Sequence, residues 1–376
     1  MKTFVIILFA VCFTTCISST KEISSEGLEI IKINLESKKL IHTKDLFDSI
    51  DIVNLETLDQ CMIGHIGSIK IFDGNFYIHD ATSKAILCFN RDGEFIFKLH
   101  KVGRGEGEYT NITKFEIDSS NKEIAIYDGF ERSLILYDIF GNYKNKIYMN
   151  YWADSFTIID KDTYCFYVNY HPNKHSNNSN YNLIFINREG KVVREMLKKN
   201  KDITKKNVIR LSQHYDDQNN LLQVFNDTIF SVTKSKISPK YYIDFQIESR
   251  KYCYNNFINN THWLEMIENC YLVSGFNELN DVICFYFGIE NNQSVVAFYS
   301  KKTENAILAL LSEEKIMLNN HNNIPISPNF YTFENGLMNV VEKSNIENIE
   351  LLGIENSSMP IYLENPIILM CYFKMF

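Results

Sequence analysis

Proline and glycine are scarce in this chain, 6 and 15 of 376 residues, so long disordered stretches are not expected. Beyond the first residues there is no apolar run long enough to cross a bilayer, which takes about 20 residues. No face of one charge is visible either: the formal net charge is −8 with both signs interspersed. Without a basic surface to release counterions, a nucleic-acid partner is not expected. The cations of Lys198, Lys199, Lys201, Lys205 and Lys206 stand in a polar stretch interrupted by Asp202 and read as a solvated loop. Motifs of chemistry are missing as well. There is no G-x-S-x-G elbow, no C-x-x-C and no H-E-x-x-H, and His65, His79, His100, His171, His175, His214, His262 and His321 are scattered without pairing.

What is abundant is the material of strands. Aromatic residues make up 14% of the chain, with 22 Tyr and 27 Phe, and these pack with Ile and Val on pleated surfaces. A chain this long exceeds the roughly 250–300 residues at which one hydrophobic core stops growing, so it must divide or repeat. It repeats. Asn75–Asp80 followed by Lys84–Phe95 aligns without gaps to Glu123–Asp128 followed by Arg132–Tyr143. Each copy sets an Asp (Asp80, Asp128) nine residues before an aromatic (Phe89, Tyr137) and a Gly (Gly93, Gly141) four residues after it. A strand ending at Asp, a polar turn, a second strand and a glycine turn into a third give a hairpin unit. Tyr181–Gly190 is a weaker copy, and Val224–Val232, Val282–Tyr286 and Ser294–Tyr299 keep the punctuation.

A period of about 40–50 residues with three or four strands in each copy is that of propeller blades. The expectation is an all-β, six-bladed β-propeller of four-stranded antiparallel blades. Five blades fall at 68–110, 111–150, 151–205, 206–262 and 263–315. The sixth joins strands from Phe330 to Phe373 with an N-terminal strand between Ile30 and Leu55, so that the two chain ends close the ring and hide their edges. Asn255–Tyr271 has helical spacing and is expected to be a short inserted helix.

At the N-terminus, Phe4–Phe13 forms an apolar run behind Lys2 and stops at Thr14-Thr15-Cys16. A run this short reads as a secretion signal. The position of Cys16 resembles the lipobox of bacterial lipoproteins, with Phe13 and Thr15 where Leu and a smaller residue are usual. The expected division is a signal peptide at 1–15, a lipid-anchor tether at 16–27 with the lipid on Cys16, and the propeller at 28–376. The alternative is ordinary cleavage after a small residue such as Ser18. Cys61, Cys88, Cys165, Cys253, Cys270, Cys284 and Cys371 then remain, an odd number with no metal spacing, and are read as small buried hydrophobes.

Several segments are similar to one family. Asp45–Thr57, the Val102–Tyr109 stretch VGRGEGEY with Glu106 where Pro is usual, Asn226–Phe230 and Glu364–Leu369 resemble the six-bladed β-propeller lipoproteins of Bacteroides-type bacteria, relatives of NHL-repeat propellers. The resemblance implies the propeller, a signal sequence and a lipid anchor. It implies no catalytic residues.

Candidate chemistry is correspondingly thin. Gly103–Gly107 would cradle a phosphate only ahead of a helix, and an alternating strand follows, so it reads as a crossover between blades pinned by Arg104 or Glu108. Asp80 and Asp128 recur at equivalent places and read as turn stabilisers. His171 and His175, in an Asn-rich insert, are expected to be exposed. The exposed aromatic candidates are Tyr151-Trp152 and His262-Trp263, which could stack on sugars or pack inside. The functional expectation is a monomeric binding module at the cell envelope, held to the membrane only by its lipid, for a glycan, a peptide or an envelope protein. The alternative is a metal-assisted lyase or hydrolase with its site in the central channel. No cofactor is identifiable.

Overall fold

The computed structural model describes residues 28–38, 43–169, 171, 173, 180–199, 219–222, 227–246, 273–289, 293–310, 330–333, 336–342 and 364–374. Two N-terminal strands, β1 (Glu29–Lys32) and β2 (Phe47–Asn54), precede blade one: β3 (Ile66–Phe72), β4 (Asn75–Asp80), β5 (Ala85–Phe89) and β6 (Phe95–Leu99). Blade two is β7 (Lys114–Asp118), β8 (Glu123–Asp128), β9 (Ser133–Asp138) and β10 (Tyr143–Tyr148). Blade three is β11 (Ser155–Asp160), β12 (Thr163–Tyr167), β13 (Tyr181–Asn187) and β14 (Val192–Lys198). Blade four contains β15 (Asn220–Leu222), β16 (Thr228–Val232) and β17 (Ile237–Asp244); blade five is β18 (Val273–Glu278), β19 (Val282–Ile289), β20 (Gln293–Ser300) and β21 (Ala306–Leu310). Blade six contains β22 (Phe330–Phe333), β23 (Gly336–Val341) and β24 (Ile367–Phe373). Each forms a four-stranded sheet, so the protein is the expected six-bladed all-β propeller.

The N-terminal strands complete blades four and six, and here the structure corrects the sequence reading. A single closing strand was expected between Ile30 and Leu55. Instead β2 pairs antiparallel with β24, Asp51 opposite Met370, while β1 lies on blade four, parallel to β17 with Glu29 opposite Tyr241. Every other strand pair is antiparallel among the described residues, and that one parallel ladder joins segments too distant for any local pattern to announce it. After β1, the turn Leu35–Ser37 lies against β21 of blade five. Ile31 and Ile33 enter the apolar layer between blades four and five, and Leu46 and Phe47 the layer between five and six.

Blade stacking explains why the second and third strands read as continuous apolar runs. All five residues of β5 and of β12 are buried, and all six of β8, because both faces of a blade meet neighbours. The period of two survives as a division of labour: Ile124 and Ile126 face blade one, whereas Ala125 and Tyr127 face blade three. The six apolar clusters of the described residues are the six layers between blades. Cys61, Cys88, Cys165, Cys284 and Cys371 are buried, and burial pushes the Cys88 and Cys371 thiols up to about 12. As expected, they pack as small hydrophobes; Cys253, Cys270, the expected tether at 16–27 and the expected helix at 255–271 lie outside the described residues.

Ring closure also has a polar lock. The buried Asn365 side chain donates to the carbonyls of Glu56 (2.8 Å) and Cys61 (2.9 Å) and accepts from the Ile63 amide (2.8 Å), binding the loop after β2 to the segment before β24. The repeat glycines serve as anticipated: Gly93 and Gly141 turn the third strand into the fourth with φ of +87° and +86°, where a side chain would be strained.

Candidate functional site

Strand direction sorts the connections onto two faces. The links between blades, and those between second and third strands, share one face, the loop face. There, residues 129–132 of blade two's β8–β9 turn and the 149–154 link meet Asn169, His171 and Asn173 of blade three.

The site starts from Asp128, which is buried at the end of β8. One carboxylate oxygen accepts from the Thr110 amide (2.6 Å) and hydroxyl (2.8 Å), the other from the amides of Phe130 (2.9 Å) and Glu131 (3.1 Å). Asp80 does the same in blade one, accepting from the amides of His65, Thr82 and Ser83 and from the Ser83 hydroxyl. Burial tends to raise the Asp80 carboxyl, but these donors outweigh it and hold it below the usual carboxylate range. Both aspartates are therefore the turn stabilisers that the repeat suggested. In each blade the residue four positions on, Lys84 or Arg132, takes a left-handed φ of +53° or +52°. The pinned turn lifts Phe130 into solvent, 67% exposed.

The Tyr151-Trp152 pair divides. Tyr151 is buried with its ring edge-on to Phe166 at 6.0 Å, while Trp152 is 38% exposed. The link is held by the Tyr127 hydroxyl, which accepts from the Ala153 amide (3.0 Å), and by Asn173, whose side chain accepts from the Trp152 amide (2.8 Å) and donates to its carbonyl (3.0 Å). Against the expectation of an exposed His171, its side chain is only 17% exposed: the ring stacks on Trp152, 6.5 Å between centroids at 20°, and Nε2 lies 2.6 Å from Asp154 Oδ1. Asn169 donates to the other Asp154 oxygen. Lys199 donates to the His171 carbonyl (2.6 Å), and burial pulls its ammonium down to about 8.

Around Trp152 stand two further groups. Phe130 is perpendicular to it (82°) at 6.4 Å, and the Arg132 guanidinium lies 5.9 Å from the indole centroid. The result is a shelf of exposed aromatic surface and a guanidinium, backed by a His–Asp–Asn network. Such a surface can hold a flat or ring-shaped ligand through its apolar face and its polar substituents. Sequence reasoning found Trp152 and His171 but missed Phe130, Arg132, Asp154, Asn169, Asn173 and Lys199. A phenylalanine at the tip of the otherwise polar turn Asp128-Gly-Phe-Glu-Arg132 was the available signal.

Other candidates are structural. The Gly103–Gly107 loop is occupied by its own chain: Glu108 Oε2 accepts from the Gly105 amide at 2.7 Å, and a Cβ on Gly103 would meet that oxygen at 2.0 Å. Glu108 pins this loop; Arg104 reaches Glu131 at 3.6 Å. Burial lowers the His79 pKa, and the ring packs against Phe115. Near the axis, polar side chains of the innermost strands engage across blade boundaries: Lys70 with Glu116 (2.8 Å), Thr157 with Asn219 (2.9 Å), Asn220 with Glu278 (2.8 Å) and Thr332 with Asn277 (3.4 Å). No group of three or more His, Cys, Asp or Glu side chains is placed to hold a metal among the described residues. His175, His214, His262-Trp263, His321 and Cys16 lie outside them.

Residues 28–364 match the model of a family described as a domain of unknown function, DUF4934. The chain belongs to that family. Among solved structures of similar fold, a Bacteroides fragilis protein named as exported is 16% identical with a TM-score of 0.69, covering 92% of this chain and 100% of its own. A DUF4221 family member from Bacteroides vulgatus is 10% identical with a TM-score of 0.50, covering 88% and 97%. These likenesses are of fold. No curated protein matches the chain.

Proposed function

We propose that this DUF4934 protein is an exported binding module of the bacterial cell envelope, tethered by a lipid on Cys16 and taking a glycan or peptide on the loop-face shelf of blades two and three. The observation that carries this is the exposed Phe130–Trp152–Arg132 surface on a preorganised base. Exposed rings held by a pinned turn and a side-chain clamp lose little freedom when a ligand arrives, the usual source of affinity in a small site. Export is supported by the N-terminal apolar run, and it agrees with the exported protein of like fold. Residues 16–27 would let the body stand at most roughly 40 Å from the bilayer.

The test is a thermal-shift screen of the processed chain against glycans and short peptides. Ligand at 100 times its Kd stabilises by about 2.7 kcal/mol, a rise of a few degrees in Tm. The expected result is a shift with one ligand class that Phe130→Ala abolishes while the unliganded Tm stays within about 2 °C. A shift that survives Phe130→Ala and Trp152→Ala puts the site elsewhere; none with any glycan or peptide overturns the reading.

A further inference from the structure

We infer that the layer between blades five and six encloses an internal hydration site, at least one ordered water molecule held by Asn339 and Tyr286; the inference is independent of the loop-face shelf. Asn339 carries it. On β23 the side chains alternate, Leu337 and Val341 entering the layer towards blade five and Met338 and Val340 the layer towards blade one, so Asn339 points between blades five and six with Leu337 and Val341. It is 1% exposed, and neither its carboxamide oxygen nor its nitrogen has a hydrogen-bond partner among the described residues. The buried Tyr286 hydroxyl is unpartnered in the same layer. Phe330 links the two: it stands opposite Asn339 in the β22–β23 ladder, and its ring packs against that of Tyr286 with centroids 5.0 Å apart. Burial raises the Tyr286 phenol far above its ordinary value, the Phe330 main chain offsetting this only in part, so the group is a neutral hydroxyl that can both donate and accept.

The fold around these groups is shaped for the tyrosine but gives neither of them a partner. The innermost strand β18 bulges beside it: the register with β19 shifts between Ser274 and Asn277, Gly275 takes a φ of +55°, and a Cβ there would meet Tyr286 Cδ2 at 2.5 Å. Bulges of this kind re-aim side chains. The polar side chains beside the bulge are spent on one another, Thr332 donating to the Asn277 oxygen (3.4 Å) and the Asn277 nitrogen to the Gly275 carbonyl (2.9 Å). A carboxamide and a hydroxyl left bare in an apolar layer forfeit the hydrogen bonds they make to water in the unfolded chain, and native interiors rarely leave them so. Water is the guest that fits. With two donors and two acceptors it serves a carboxamide and a phenol alike, and so secluded a position suits a guest of solvent size. Asn365, buried elsewhere in the core, needs no such guest because it finds its three partners in the main chain.

The test is a high-resolution crystal structure of the protein, together with thermal melts of Asn339→Leu, Tyr286→Phe and the double variant. The expected electron density shows a water within about 3.2 Å of the Asn339 side chain and of Tyr286 Oη. Asn339→Leu, close in volume and apolar, should lower Tm by a few degrees because it strands the water and the hydroxyl; were the carboxamide bare, the same change would raise Tm. With Tyr286→Phe added, the loss should be smaller than the sum of the two single losses, as for groups that share one partner. A layer without water density overturns the inference. So does an Asn339→Leu variant that melts at or above the native temperature, and so do losses that simply add. Should Asn339→Leu fail to fold, the crystal structures of the native chain and of Tyr286→Phe, in which the water is expected to shift or vanish, decide the matter on their own.

Discussion

Glu278 shows how single residues bind blades together. At the end of β18 it accepts from the Tyr241 hydroxyl (2.8 Å), Asn220 (2.8 Å), Lys301 (2.9 Å) and Lys240, so one blade-five carboxylate gathers three donors of blade four. Burial tends to raise its pKa, but these donors outweigh it and bring it from 4.5 to about 2. A depressed folded-state pKa contributes stability that is present above the unfolded value and is lost as pH falls from 4.5 towards 2. Glu278→Gln should therefore destabilise at pH 7 by about 3 kcal/mol. The gap to the native chain should shrink by roughly half or more at pH 3. Urea denaturation at both pH values measures it; an equal gap at both would mean the carboxylate's charge does not matter. Nothing in the sequence marked Glu278, whose partners come from distant segments. Asp80 and Asp128 were legible because their partners are local and the blade repeats them.

At the scale of the element, β1 is the instructive case. Ile31 and Ile33 are fully buried, and truncating a buried isoleucine to alanine costs about 2–5 kcal/mol. The variant Ile31→Ala/Ile33→Ala should lower stability by at least about 4 kcal/mol and free the amides of Tyr242 and Asp244, which face β1, for hydrogen exchange. Unchanged exchange there would show that β1 is not holding the edge of blade four. The strands of blades one to three could be read from the chain because hairpins pair neighbours in sequence and the Asp and Gly punctuation marks their turns. Blade four could not be completed that way. Its outer strand comes from the other end of the chain, and β1 looks like any short apolar stretch, so the closing strand was drawn too long. The shelf fell between these cases: Trp152 was conspicuous, but its partnership with Phe130, Arg132 and His171 depends on two blades meeting.

For the whole molecule, the proposed tether has the plainest consequence. If Cys16 carries the lipid, Cys16→Ala should move the chain from the membrane to the soluble fraction while Tm is unchanged, since β1, the first strand of the described residues, begins at Glu29. Equal membrane retention of the variant would count against the anchor. The parallel ladder of β1 has one more implication, for the order of folding. Glu29 waits for Tyr241, roughly two hundred residues away, and Asp51 for Met370. Pairings so remote make closure slow, because the entropy of a long loop must be lost before any contact rewards it. Blades one to three can form as local hairpins, whereas blades four and six keep an unpaired rim until the beginning of the chain returns to them. Refolding should therefore pass through a stage with open, association-prone edges, and the newly made chain is at its most vulnerable before its first strands find their places.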